Sequence, residues 1–212
     1  MNLSRVSSSA VLAACAASLA LTLGACGSDT DTSSESSATS SGTPSSAVAA
    51  PVTETAPTDS GCPPAAPAGD VAPEWTLQGA TGSVAVTGST DTTAPSVKVD
   101  TPFSVNETQV HTLQPGTGPV VGDTATVSVC YMGVNGRDGS VFDSSYEGGA
   151  PVSFPLEGVI PGFQKAIAGQ KVGSTVAVAM TSADGYPDGQ PGAGIQPGDS
   201  LIFAIKILNA SR

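Results

Sequence analysis

The 212-residue sequence predicts an α+β fold in which an antiparallel β-sheet wraps around one short helix, with a small β extension ahead of it. Three observations carry that prediction. From about residue 71 onward, short segments of alternating apolar and polar residues are punctuated by Gly and Pro, the pattern of strands and turns. A single stretch, opening at Pro161 and stopping at Gly169, has the punctuation of a helix. The final stretch of about a hundred residues is long enough to bury one modest core.

Taken in order, the chain opens with Met-Asn-Leu-Ser-Arg and an uncharged apolar run from Val6 to Leu23, the make-up of a secretory signal peptide and not of a fold element. The run ends in Leu23-Gly24-Ala25-Cys26, which looks like a bacterial lipobox. Residues 1–25 are therefore expected to be a lipoprotein signal peptide and Cys26 the lipid anchor. The similar Leu12-Ala13-Ala14-Cys15 would leave too short an apolar core. Residues 26–70 are dominated by Ser, Thr, Ala, Pro and Asp and hold no aromatic ring. Such a composition cannot offset its ordering entropy, so a disordered tether is expected, reaching roughly 35–40 Å as a flexible coil. These features place the protein on the extracytoplasmic face of a bacterial cell membrane, held there by its lipid.

Residues 71–104 read as the small β extension, with Trp75 and strand candidates at Ser83–Thr87 and Ser96–Val99. Residues 105–210 form the main domain, with strand candidates Thr108–Leu113, Thr124–Met132, Val152–Leu156, Ser174–Thr181 and Ser200–Leu208. By the two-residue period of a strand, Ala125, Val127, Val129 and Tyr131 share one face, and Thr124, Thr126, Ser128 and Cys130 the other. In the helix, Pro161 suits the first position because its missing N–H would be unpaired there anyway. Phe163 and Ile167, four apart, then press the same side onto the sheet. No heptad or long apolar helix signals an oligomer, so a monomer is expected.

Charge and chemistry exclude several functions. Seven basic against eighteen acidic residues give a net charge of -11, which argues against nucleic acid as a partner. Of the four cysteines, Cys15 leaves with the signal peptide and Cys26 takes the lipid. Cys62 and Cys130 remain, and in an oxidising compartment they suit a disulfide; the alternative is a buried free thiol. Such a bridge would staple the segment after the tether to the back of the sheet, contributing about 4 kcal/mol in the simple loop-entropy model. His111 is the one histidine, with no cysteine cluster to complete a zinc site and no Gly-x-Ser-x-Gly elbow to complete a hydrolase. It reads as a solvated strand residue. Gly136-Arg137-Asp138-Gly139 is a turn and not a phosphate loop. Neither a metal nor a cofactor is expected.

The remaining motifs are Val127-Ser128-Val129-Cys130-Tyr131-Met132-Gly133, then Phe142-Asp143-Ser144-Ser145, then Val159-Ile160-Pro161-Gly162-Phe163. Tyr186, Ile195 and Leu201-Ile202-Phe203 follow. In this order and spacing they resemble an FKBP-type peptidyl-prolyl cis-trans isomerase over roughly residues 108–209. The resemblance implies an FKBP-like fold and an enzyme acting at X-Pro bonds in proline-containing segments of exported proteins. It implies Phe163 as the floor under the proline ring, with Tyr131, Phe142, Val159 and Phe203 as walls. The backbone N–H of Ile160 and the Tyr186 hydroxyl would be donors to the bound segment, and Asp143 would stand at the rim; these three are the implied catalytic groups. Val152 and Phe154 would complete the wall, and Ile195 would belong to a covering loop.

The sequence departs from the family pattern at several of these places. Phe163 stands where tryptophan is usual, Val152 where phenylalanine is common, and Gly148 where an arginine often pairs with the aspartate. Pro191, Gly192, Ala193 and Gly194 alter the covering loop. The cup should be shallower and less aromatic, with weakened isomerase activity and weak macrolide binding. The alternative function is a non-catalytic module of the cell envelope that binds proline segments or acts as a chaperone.

Overall fold

The computed structural model describes residues 61–69 and 71–211. The signal segment, the Cys26 anchor and the tether up to residue 60 lie outside the described residues.

Two antiparallel sheets make up the described chain. The first has three strands in the order β1 (Trp75–Gln78), β2 (Thr81–Thr87) and β3 (Ser96–Ser104). The second is built from β4 (Gln109–Gln114), β5 (Thr126–Asn135), β6 (Val141–Ser144), β7 (Val152–Pro155), β8 (Thr175–Met180) and β9 (Leu201–Ser211). Its order is β4-β8-β9-β5-β6, and β7 pairs with β5 alongside β6. One edge of β5 is thus shared: β7 takes its first half, with Val127 opposite Phe154, and β6 its second, with Gly133 opposite Asp143. A single turn of helix, α1 (Ser145–Gly148), joins β6 to β7, and α2 (Pro161–Ile167) lies between β7 and β8.

The helix reads from the sequence as expected. Pro161 occupies its first turn, Phe163 and Ile167 are buried, and Gly169 beyond its end takes φ 78°, the left-handed conformation that stops a helix. Its close fit on β8 depends on Gly162, where a Cβ would come within 2.7 Å of the Met180 sulfur.

Alternation along the central strands divides their side chains between two cores. Val127, Val129 and Tyr131 of β5, Val176, Val178 and Met180 of β8, and Leu201, Phe203, Ile205 and Ile207 of β9 face α2. The intervening Val134, Ala177, Ala179, Ile202 and Ala204 face the three-stranded sheet, where Val84, Val86 and Phe103 cover them. Small residues at three of those five back positions let the second sheet approach closely. Both faces being covered explains why β8 is buried at every position. The sheets are also joined by polar links: the Phe103 N–H donates to the Gly136 carbonyl at 2.8 Å, and the Val105 N–H to the Ser200 hydroxyl at 3.2 Å.

Several expectations are adjusted. The tether was drawn to residue 70, yet within 61–69 the chain is tied to the domain at Cys62 and Ala65. Cys62 is bonded to Cys130, both are almost wholly buried, and the Ala65 carbonyl accepts the Ala94 N–H at 2.7 Å. Composition favours a solvated chain, and most of 63–69 is exposed, but the covalent link at the buried Cys62 ties the segment down. His111 is exposed but not merely solvated, since its ring stacks on Trp75 with centroids 5.6 Å apart and planes 4° from parallel. β1, β6 and α1 have no counterpart among the strand and helix candidates. Each is only four residues long, and neither β6 nor α1 shows apolar residues alternating cleanly with polar ones between turn signals.

Candidate functional site

A cleft of about 390 Å³ opens where the β5–β6 edge, β7 and the start of α2 meet the loop that carries Tyr186. Its floor is a set of rings packed edge to face. Phe163 lies 5.1 Å from Phe203, 5.5 Å from Phe154 and 5.7 Å from Tyr131 between centroids, and Phe142 lies 5.5 Å from Phe203. Edge-to-face packing sets the positive edge of one ring against the negative face of the next, which fixes ring orientation as well as burying area. Alternation puts these rings at one end: Tyr131 and Phe203 come from the α2 face of neighbouring strands, and Phe163 rises from the first turn of α2.

The structure brings Tyr131, Phe142, Asp143, Val152, Phe154, Val159, Ile160, Phe163, Tyr186 and Phe203 to the lining of this cleft, together with Gly158. Ile195 does not line it. That side chain is 2 % exposed and belongs to the core beneath, where its backbone pairs with Gln190 and its apolar surface has no reason to face water. Val152 and Phe154 share one side of β7 and both reach the cleft, Val152 at its more exposed margin.

The polar groups sit at the rim. The Tyr131 hydroxyl donates to the Asp143 carboxylate at 2.6 Å. Burial, then that bond and the nearby negative charge, push the Tyr131 phenol well above its usual range, so it keeps its proton and remains a donor. Asp143 is exposed, and at Gly148 a Cβ would meet nothing within 4 Å, so the aspartate's partner is this phenol. Ile160 caps α2 with extended dihedrals (φ -60°, ψ 146°), and its carbonyl accepts the N–H groups of Phe163 and Gln164 at 3.0 and 3.2 Å. Among the described residues, neither the Ile160 N–H nor the Tyr186 hydroxyl has a hydrogen-bond partner.

Other residues hold the site without being visible as site residues in the sequence. Gly133 is one: a Cβ there would stand 2.6 Å from the Phe142 ring and 2.8 Å from that of Phe203, so only glycine lets the two rings close over β5. Asp184, two residues before Tyr186, accepts both Lys165 of α2 at 2.8 Å and the Thr108 hydroxyl at 2.5 Å. The Lys165 ammonium and the Thr108 hydroxyl hold its carboxyl below the usual range. On the far side of the same connection, Asp199 takes the Asn135 amide at 2.8 Å, the Gln196 N–H at 2.9 Å and the Arg137 guanidinium at 3.3 Å. Burial raises the Asp199 carboxyl, but these donors outweigh it and leave the group below its usual value. Glycine between apolar residues and a lone Asp in a loop carry no local signal of such partners, which lie up to 76 positions away.

Fold and cleft together define an α+β domain with a small, ring-lined site for an apolar group, polar only at its rim. The model of the FKBP-type peptidyl-prolyl cis-trans isomerase family matches residues 118–208. The FK506-binding protein of Streptomyces anulatus is 38% identical over 96 residues, covering 44% of this chain and 77% of that protein. The FKBP-type 22 kDa peptidyl-prolyl cis-trans isomerase of Escherichia coli K12 is 36% identical over 100 residues, 47% of this chain and 48% of the relative. A crystal structure of FkpA from Escherichia coli shares 33% identity, covering 49% of this chain and 48% of that one, with a TM-score of 0.45. The chain belongs to the FKBP-type peptidyl-prolyl cis-trans isomerase family. It spans about half the length of several curated relatives that it matches.

Proposed function

We propose that this protein is a peptidyl-prolyl cis-trans isomerase that accelerates folding of exported proteins at X-Pro bonds, using the ring-lined cleft. The observation that carries the reading is the apolar, ring-lined cup built on Phe163, with unpartnered donors at its rim. Rotation about a peptide bond faces a barrier of about 18–20 kcal/mol because resonance gives the C–N bond partial double-bond character. Uncatalysed exchange at X-Pro takes about 10–100 s, slow enough to limit folding. The resonance form that must be lost is the more polar one. Burying the imide among Phe163, Phe203, Phe142 and Val159 disfavours that form relative to the twisted state, each 1.36 kcal/mol being worth about tenfold. The Ile160 N–H and the Tyr186 hydroxyl then hold carbonyls of the segment on either side, and Asp143, fixed by Tyr131, faces the twisting bond. The smaller floor at Phe163 and the open margin at Val152 support modest activity and weak macrolide binding.

The proposed location is the outer face of a bacterial membrane, through a lipid on Cys26. This rests on Leu23-Gly24-Ala25-Cys26 and the apolar run before it. One observation favours a second reading, a proline-segment binding module without useful turnover: Val152 is 39% exposed and leaves one wall of the cup open.

The test is the cis/trans exchange rate of a Leu-Pro peptide, measured by NMR with the purified full chain and with Asp143→Ala and Tyr186→Phe. Acceleration by the parent chain that falls in both variants is the expected result. Binding of the peptide without acceleration selects the module instead, and an unchanged rate in Tyr186→Phe removes that hydroxyl from the mechanism.

A further inference from the structure

The catalytic reading places Asp143 and Phe142 on β6, and β6 is poorly held. It has four residues, one sheet partner, and a register shift against β5 between Gly133 and Val134. It runs directly into α1, a single turn, and a helix that short has no stability of its own in water. What presses α1 down therefore decides where Asp143 stands.

Three contacts do so. The Ser145 hydroxyl, buried, accepts the Tyr131 N–H at 2.9 Å. The Tyr146 ring is buried in a cluster with Cys62, Cys130 and Ala94. The carbonyl of Gly149, which caps α1, accepts the Cys62 N–H at 3.1 Å. The Ser145 hydroxyl also lies 3.3 Å from the Cys62 sulfur. Cys62 takes part in each of these arrangements, and its disulfide to Cys130 fixes it to the strand position next to Tyr131. Both partners of the 2.6 Å Tyr131–Asp143 bond are thus tied to the same half-cystine from behind. Cys62 lies outside residues 118–208, so this support comes from a part of the chain that the family match does not include.

We propose that the segment 61–69, acting through Cys62, is a positioning element of the cleft: it clamps α1 and thereby holds Asp143 against the Tyr131 hydroxyl. The inference rests on the isomerase reading for its effect on rate, but not for its effect on Tyr131.

The experiment uses the full chain and two independent ways of loosening the clamp. Cys62→Ser/Cys130→Ser removes the bridge. Gly61→Ala keeps it but puts a Cβ 2.7 Å from the Gly149 carbonyl, pushing the segment away from α1. In both, kcat/KM for the Leu-Pro peptide should fall by roughly tenfold, through kcat more than KM, since small misplacements of an acting group cost rate steeply. Added to Asp143→Ala, either change should lower the rate no further, because coupled residues are not additive. The Tyr131–Asp143 bond, followed by NMR of the Tyr131 ring signals assigned with Tyr131→Phe, should weaken in the loosened variants, moving those signals towards their positions in Asp143→Ala. Full activity with unmoved Tyr131 ring signals in the folded variants overturns the clamp. So does a loss that adds fully to that of Asp143→Ala, which would mark a general stability effect. If the parent chain shows no isomerisation, the isomerase reading fails by itself, and the Tyr131 ring signals alone decide the clamp.

Discussion

The two faces of the central sheet are made by the same strands and do opposite things. On the back, Ala177, Ala179 and Ala204 leave little relief, and the three-stranded sheet fills it with Val84, Val86 and Phe103 until the layer is closed. On the front, Val, Met, Ile and Phe stand up from the same strands, and α2 is only seven residues long. Such a helix covers one end of the front and leaves the rings of Tyr131, Phe142, Phe163 and Phe203 bordering open space. A cleft of this kind needs no special chemistry in its floor. It results where large side chains outrun the element that should cover them, and the closed back face gives the sheet the rigidity that an unfilled core lacks.

The comparison breaks most visibly if single large residues are removed from each face. Phe163→Ala should cost about 3–5 kcal/mol and also abolish acceleration of the Leu-Pro peptide, because the floor is lost. Ile202→Ala, on the back, should cost a similar 2–5 kcal/mol yet leave the rate per folded molecule unchanged. Urea unfolding together with exchange NMR in buffer separates the two, and an equal loss of rate in Ile202→Ala would show that the faces are not independent. Gly133→Ala should come next, at about 1–3 kcal/mol, because its methyl group must displace the Phe142 or Phe203 ring. Its rate should fall more than its stability, read in the same pair of experiments.

The smallest effect concerns the loop that carries Tyr186. Asp184 and Asp199 both have carboxyls held below their ordinary value in the folded state. Their contribution to stability is therefore complete above the ordinary aspartate value near 3.8 and is lost as pH falls through the lower folded values. An acid unfolding profile should show a loss in that window that shrinks in Asp184→Asn. At neutral pH the same variant should cost less than about 1 kcal/mol, since Lys165 is well exposed and such pairs are screened.

The helix, the main strands and the face of Tyr131 were legible because periodicity and Pro/Gly punctuation are local. Pro161 opens α2 and Gly169 lies just past its end, and Val127, Val129 and Tyr131 alternate toward α2 as their spacing requires. The lining was legible through the order of the motifs, with Ile195 the exception: it sits beside the cleft in sequence pattern but in the core in space. β6 escaped because Val141-Phe142-Asp143-Ser144 does not alternate apolar with polar residues, and α1 because four residues span barely one helical turn.

By itself, then, the sequence determined where most strands run, which side chains lie on each face of the Thr126–Asn135 strand, where the helix starts and stops, and, by resemblance, which motifs come together in one cup. Tertiary structure alone decided that Gly133 must be bare, that Asp143 is partnered by Tyr131, that Asp184 and Asp199 hold the Tyr186 connection, and that the chain around Cys62 is tied to the domain. The reason is one of range. Strand period and helix stops act between residues a few positions apart, whereas each of the later facts depends on atoms brought together from distant parts of the chain, such as Cys62 and Ser145, which no local pattern encodes.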